Sequence, residues 1–186
     1  MPCLFLNRRS FLKHSFLATI ALSAGGLGWA GQLHAAKKPA NRLSLLHLHT
    51  GERLAVNFRD SSGGYVQQAL EAIDRLLRCH HTEEIHPIDI RTLEYLSQVD
   101  RKLGGNHEIH IVSGYRSPRY NKMLHAQGRQ VAKRSLHLEG RALDIRIPGV
   151  RTASLRKAAL DLQLGGVGYY PRSDFVHLDS GAFRSW

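Results

Sequence analysis

The sequence predicts an α+β fold in a single domain, with a mostly antiparallel sheet and helices packed to one side. Three observations predict it. Two alternating segments flank a Thr50-Gly51-Glu52 turn, apolar residues fall at helical spacing over 66–79 and 89–103, and four short apolar segments bounded by Gly, Pro and Ser turns occupy residues 108–179. At 186 residues and 42% hydrophobic the chain is long enough to bury one core, and 22% charged residues is an ordinary share for a folded domain.

Taken in order, Leu43 to His49 and Arg53 to Arg59 read as a β-hairpin, the second strand alternating through Leu54, Val56 and Phe58. After Ser61-Ser62-Gly63-Gly64, residues Val66, Ala69, Leu70, Ile73, Leu76 and Leu77 give an amphipathic helix to about Cys79. A second helix runs from about Asp89 to Leu103 and stops at Gly104-Gly105. Glu108 to Val112 is a strand leading into Ser113-Gly114-Tyr115-Arg116. Ser117-Pro118 supplies an N-cap and a proline at the first helical position, opening a short helix through Met123 and Leu124. Residues 129–134 form a basic loop. Ala142 to Ile147 is a strand, Thr152 caps a helix to about Gln163, and the strands Gly166 to Tyr170 and Phe175 to Asp179 flank a Pro171-Arg172-Ser173 turn.

The first 36 residues read as an address. Asn7-Arg8-Arg9-Ser10-Phe11-Leu12-Lys13 and the apolar run from Phe16 to Trp29 resemble a twin-arginine signal, with small-residue cleavage positions at Gly28-Trp29-Ala30 and at Ala35-Ala36. The alternative is an uncleaved anchor, although the run is glycine- and alanine-rich and short of the roughly 20 residues that span a bilayer. Residues 37–42 follow as a linker, and 43–186 as the domain. The signal contains Arg8, Arg9, Lys13 and no acid, so the net charge falls from +11 to +8 on its removal and the basic character belongs to the domain. A basic surface seeks an anionic partner, and export favours an envelope polymer over nucleic acid. Of the two cysteines, Cys3 lies in the signal, which leaves Cys79 without an internal disulfide partner.

Chemistry concentrates in the last seventy residues. Ser135-Leu136-His137-Leu138-Glu139-Gly140-Arg141-Ala142-Leu143-Asp144 sets a histidine and an aspartate seven positions apart across a glycine turn, and His177 follows on the last expected strand. Two imidazoles and a carboxylate form a common ligand set for a catalytic zinc, because three protein ligands leave a fourth position open. With 12 histidines in the chain, a core histidine satisfied by a hydrogen bond is the competing reading. His47 and His49, two apart on a strand, are a further possible metal pair. They are read as structural or surface residues, with His80, His81, His107 and His110.

Ser-x-His-x-x-Gly-x-Ala-x-Asp, preceded by Ser113-Gly114-Tyr115-Arg116-Ser117 and followed by a strand-borne histidine, resembles the zinc D-Ala-D-Ala peptidase family, which also includes lysostaphin-like enzymes and hedgehog signalling domains. Within it the chain is most similar to periplasmic murein endopeptidases. The twin-arginine start, Leu48-His49-Thr50-Gly51-Glu52, Gly165-Gly166-Val167-Gly168-Tyr169-Tyr170-Pro171-Arg172-Ser173 and the terminal Trp186 carry that likeness over essentially the whole mature chain. The resemblance implies a hedgehog/D-Ala-D-Ala peptidase-like fold, one Zn2+ held by His137, Asp144 and His177, and hydrolysis of peptide bonds in peptidoglycan, at 3-3 cross-links between diaminopimelate residues.

Other residues follow as candidates. Asp174, three before His177, matches the Glu/Asp-x-x-His arrangement of some relatives and is the expected general base, against a turn-capping role. Other relatives use His-x-His, where this chain has Phe175. Arg116 is expected to hold the scissile carbonyl oxygen or a substrate carboxylate. Ser113, Tyr115 and Ser135 lie in the flanking motifs and Asp179 on the strand face of His177, as candidate supports or substrate contacts. Tyr169 and Tyr170 alternate, so one faces the groove and the other packs. Arg129, Lys133, Arg134 and Arg141 are available to stem-peptide carboxylates, or form a solvated loop. Expected partners are peptidoglycan stem peptides and the export machinery, with no nucleic acid and no stable membrane span in the mature form. The rival readings are a carboxypeptidase or dipeptidase acting on free D-Ala-D-Ala ends and a non-catalytic peptidoglycan-binding module.

Overall fold

The computed structural model describes residues 42–129, 132 and 134–186; the expected signal and nearly all of the expected linker lie outside these. The strands are β1 (Arg42–His47), β2 (Arg53–Asn57), β3 (Glu108–Ser113), β4 (Ala142–Arg146), β5 (Gly166–Tyr170), β6 (Phe175–Asp179) and β7 (Arg184–Ser185). The helices are α1 (Gln67–Leu76), α2 (Ile90–Lys102), α3 (Pro118–Ala126) and α4 (Thr152–Leu160). The strands form one sheet in the order β2-β1-β3-β4-β6-β5-β7. Pairing is antiparallel except for β1 with β3 and β5 with β7, so the sheet is mixed, and the α+β expectation holds.

The strand alternation divides the sheet into two faces. Leu43, Leu45, Ile109, Ile111, Leu143, Ile145, Val167, Val176 and Leu178 are buried in one core. They share it with Ala69, Ile73 and Leu76 of α1, Leu93, Leu96 and Val99 of α2, and Leu155, Ala158 and Ala159 of α4. Each Val, Leu or Ile among them contributes about 1.5–3 kcal/mol by leaving water, which sets the register of the strands. The intervening positions, including Asp144 and His177, therefore face the other way. Among the described residues no helix is long and apolar enough to cross a membrane.

Local signals explain most helix ends. Asp89 caps α2 by accepting from the Arg91 amide, and Ser117 caps α3 by accepting from the Tyr120 amide with Pro118 in the first turn. Three ends differ from expectation. Helix α1 stops at Leu76, short of Cys79, α4 stops at Leu160, short of Gln163, and α4 is capped by Arg151 rather than Thr152. Thr152 is instead the first helical residue, and its hydroxyl donates to Asp174 Oδ1 at 2.6 Å.

The hairpin between β1 and β2 is held by a histidine. Buried His47 accepts at Nδ1 from the amides of His49 and Thr50, each at 3.3 Å, so it closes the turn rather than joining His49 as a metal ligand. Its ring lies 5.8 Å from that of His80, which stacks on His49 at 4.0 Å. Burial, followed by neighbouring positive charge, lowers both His47 and His80 to about 4. A histidine whose folded value lies below its ordinary 6.5 stabilises the fold above that pH and loses the contribution as pH falls toward 4. Urea melts over this interval should show His47→Asn, which keeps an acceptor but cannot titrate, losing less stability on acidification than the parent. An identical pH slope would remove His47 from the acid response.

Candidate metal centre

Residues from three separate segments meet on the sheet face opposite the core. Across the strands, Ser113 is in register with Asp144, Asp144 with His177, and His177 with Gly168. His137 arrives from outside the sheet, on a single 3-10 turn over Leu136–Glu139 that sequence periodicity did not announce. Ser135 caps this turn, its Oγ accepting from the His137 amide at 3.4 Å, and Gly140 ends it with φ +64°. A Cβ at Gly140 would overlap the Pro87 carbonyl oxygen, so both conformation and space demand glycine there.

The three side chains converge closely. His137 Nε2 lies 3.2 Å from His177 Nδ1 and 3.3 Å from Asp144 Oδ1, and His177 Nδ1 lies 2.9 Å from Asp144 Oδ1. Among the described residues no other group of three or more His, Cys, Asp or Glu side chains brings its ligand atoms together in this way. The outward ring nitrogens have partners of their own. His137 Nδ1 donates to the Gly114 carbonyl at 2.8 Å, which leaves its Nε2 lone pair pointing inward. His177 Nε2 donates to Asp179 Oδ2 at 3.1 Å, which directs Nδ1 inward. Two inward imidazole nitrogens and a carboxylate oxygen, each imidazole oriented by an acceptor behind it, fit a zinc-type ion.

Electrostatics agree with this assignment. Burial opposes ionisation of Asp144, but the His137 and His177 rings hold its carboxyl well below the usual range. Burial also opposes charge on His177, yet the hydrogen bonds it donates to Asp144 and Asp179 raise it to about 9.

The cluster lies in a pocket of about 330 Å³ whose lining includes Arg116, Arg134, Ser135, Tyr170, Phe175, Arg184 and Trp186. Arg116 is buried, with Nη2 3.9 Å from Asp144 Oδ2, Nη1 3.5 Å from Asn121 Oδ1, and a buried Nε that has no hydrogen-bond partner. Tyr170 stacks on Phe175 at 4.5 Å. Tyr169, by strand alternation, packs against the core with Arg156 5.0 Å from its ring centre, so Tyr170 is the member of the pair that lines the pocket.

Other sequence candidates fall elsewhere. Asp174 sits in the β5–β6 turn at φ +52°, bonded to Thr152 and 3.7 Å from Arg146 Nη1, beside a different cavity. The structure does not bring Asp174 into the pocket: β6 turns Phe175 and His177 toward it, and the carboxylate that precedes them is bonded to Thr152 of α4. Asp174→Asn should keep hydrolytic activity within about threefold, as expected of a side chain outside the pocket; a loss beyond about a hundredfold in steady-state assays would restore it as the base. Tyr115 is likewise a core residue, stacked on His86 at 4.7 Å, rather than a pocket contact. Ser113 is the cross-strand neighbour of Asp144 and does not line the pocket. Of the basic set, Arg134 lines the pocket, Arg141 is engaged with Glu139 and Ser180, Arg129 is exposed, and Lys133 lies outside the described residues. Arg184 was not singled out from sequence, since a two-residue strand carries no periodicity.

A mixed sheet with helices on one side and an outward His/Asp/His cluster in an arginine-lined pocket, taken with the family match that follows, defines a metal-dependent peptidase. The comparisons resolve the class further. Residues 34–186 match the family model described as peptidoglycan L,D-endopeptidase MepK, and the chain belongs to that family. It is 38% identical to the peptidoglycan L,D-endopeptidase MepK of Escherichia coli K12 over 97% of both chains, and equally to that of Shigella flexneri. It is 39% identical to a probable peptidoglycan L,D-endopeptidase MepK of Haemophilus influenzae over 77% of both chains.

Proposed function

We propose that this chain is an exported zinc endopeptidase that hydrolyses peptide cross-links of peptidoglycan in the periplasm, at 3-3 links between diaminopimelate residues. The observation that carries the reading is the convergence of His137 Nε2, His177 Nδ1 and Asp144 Oδ1 within 3.3 Å of one another in an open pocket. When bound there, zinc supplies a Lewis acid that polarises a carbonyl and activates water at neutral pH. The chain's own groups do the rest. Arg116, with donors to spare, holds the scissile carbonyl oxygen or a neighbouring carboxylate. Arg134 adds positive charge suited to the free carboxylates of diaminopimelate, and Tyr170 and Phe175 form an apolar wall for the stem peptide. That the relatives are L,D-endopeptidases supports the bond type, because a 3-3 link joins the carbonyl of an L centre to the amine of a D centre.

The test is chelation followed by zinc addition, with elemental analysis of the folded protein and identification of the muropeptides released from sacculi. Zinc-dependent loss of 3-3 dimers is expected. Release of terminal D-Ala with dimers intact would instead make it a carboxypeptidase, and sacculus binding without any product would make it a binding module. For the address, the Arg8-Arg9 pair and the following apolar run support twin-arginine export. Replacing both arginines by Lys should leave the protein in the cytoplasmic fraction, and normal export of that variant would exclude this route.

A further inference from the structure

The glycine run on β5 has a reason in the last three residues of the chain. Gly166 and Gly168 occupy the same sheet face as His177, where side chains would normally stand. A Cβ at Gly168 would lie 2.8 Å from ring atoms of Trp186 and of Tyr170, and one at Gly166 would overlap the Asp179 carboxylate and stand 2.6 Å from Arg184 Nη1. The strand leaves this space vacant, and the C-terminus fills it. β7 runs parallel to β5, and the main chain of Trp186 extends the ladder, its amide donating to the Val167 carbonyl at 3.2 Å and its carbonyl accepting from the Tyr169 amide at 3.0 Å.

Two of the three side chains carried by this strap, Arg184 and Trp186, reach the metal centre. Arg184 grips Asp179 as a fork, Nη1 to Oδ1 at 3.0 Å and Nη2 to Oδ2 at 2.7 Å. Asp179 is fully buried, and the same Oδ2 accepts from His177 Nε2. The Trp186 ring lies 5.3 Å from that of His177, and its Nε1–H donates to the Tyr170 hydroxyl at 2.9 Å. We propose that the C-terminal strap Arg184–Trp186 is a positioning element of the metal centre: Arg184 sets the carboxylate that orients His177, and Trp186 holds Tyr170 against the pocket. The proposal rests on the metal reading above.

The physical reason is orientation. Backbone amides hold Asp179 Oδ1, and the arginine fork adds a charge-assisted donor on Oδ2, the oxygen that serves His177. Without the fork, Asp179 keeps the amides of Gly166 and Gly181 on Oδ1 but no second donor on the oxygen that serves His177. Groups that orient a metal-binding histidine typically change metal affinity by about 10–100-fold.

The test uses the full chain with Trp29→Phe, so that Trp186 is its single tryptophan. Zn2+ affinity is read by competition with a chromophoric chelator, and Co2+ uptake by quenching of tryptophan emission. Arg184→Ala should weaken Zn2+ binding by about 10–100-fold, and Arg184→Lys, which restores charge without the fork, should recover only part of it. Trp186→Phe, read in the parent chain, should leave Zn2+ affinity unchanged and raise KM by about fivefold with kcat less affected, as expected for one lost hydrogen bond. Melting curves of the metal-free variants separate orientation from unfolding, and Arg184→Lys carries the test if Arg184→Ala does not fold. Parental Zn2+ affinity in a folded Arg184→Ala, or tryptophan emission unmoved at Co2+ saturation, overturns the strap's role. A parent chain that takes up neither ion overturns the metal reading itself.

Discussion

His177→Ala should abolish hydrolysis of cross-linked muropeptides, by roughly 10³-fold or more, while binding to sacculi survives. The expectation follows from where the ring stands. Its Nδ1 is the inward nitrogen between His137 and Asp144, and it is the only one of the three that also reaches Asp179. Its neighbours on β6, Val176 and Leu178, remain in the core, so the strand keeps its register. The fold should lose about 1–3 kcal/mol, because two buried carboxylates each lose a hydrogen-bond partner. Zn2+ affinity, turnover and sacculus retention measured on one preparation decide the matter. Cleavage persisting within tenfold of the parent would mean that the reaction does not pass through this cluster.

Gly140→Ala should damage the same centre from the backbone. Alanine at φ +64° is strained by about 1 kcal/mol, and the added methyl must displace the Pro87 carbonyl, a further 1–3 kcal/mol for an overpacked site. Together these cost roughly 2–4 kcal/mol in urea unfolding. Because Gly140 ends the turn that carries His137, relief of the clash moves the ligand, and Zn2+ affinity should fall in the folded fraction as well. A variant with parental melting and parental affinity would show that the turn tolerates an L residue.

Much of the site was legible in the chain because the signals are local. Ser135, His137 and Gly140 fall within one short turn, and the Ser117-Pro118 cap is a property of adjacent residues. Strand alternation is enough to put Asp179 beside His177 and to divide Tyr169 from Tyr170 between core and pocket. Locality alone did not tell where Asp174 goes. Its spacing from His177 suits a base, while the turn places it at positive φ, where the hydroxyl of Thr152, far away in the chain, donates to its carboxylate. Nor did it tell where Tyr115 goes, since its motif adjoins Arg116 while its ring stacks on His86 in the core.

The sequence by itself determined the class of the fold, the two faces of the strands and the residue types able to hold a metal, since periodicity and chemistry travel with the chain. Only the tertiary structure decided that β1 pairs parallel with β3, that His47 closes a hairpin, and that the C-terminus occupies the space left by Gly166 and Gly168. Those outcomes depend on contacts between residues far apart in the chain, whose meeting is set by packing of the whole core rather than by any local preference.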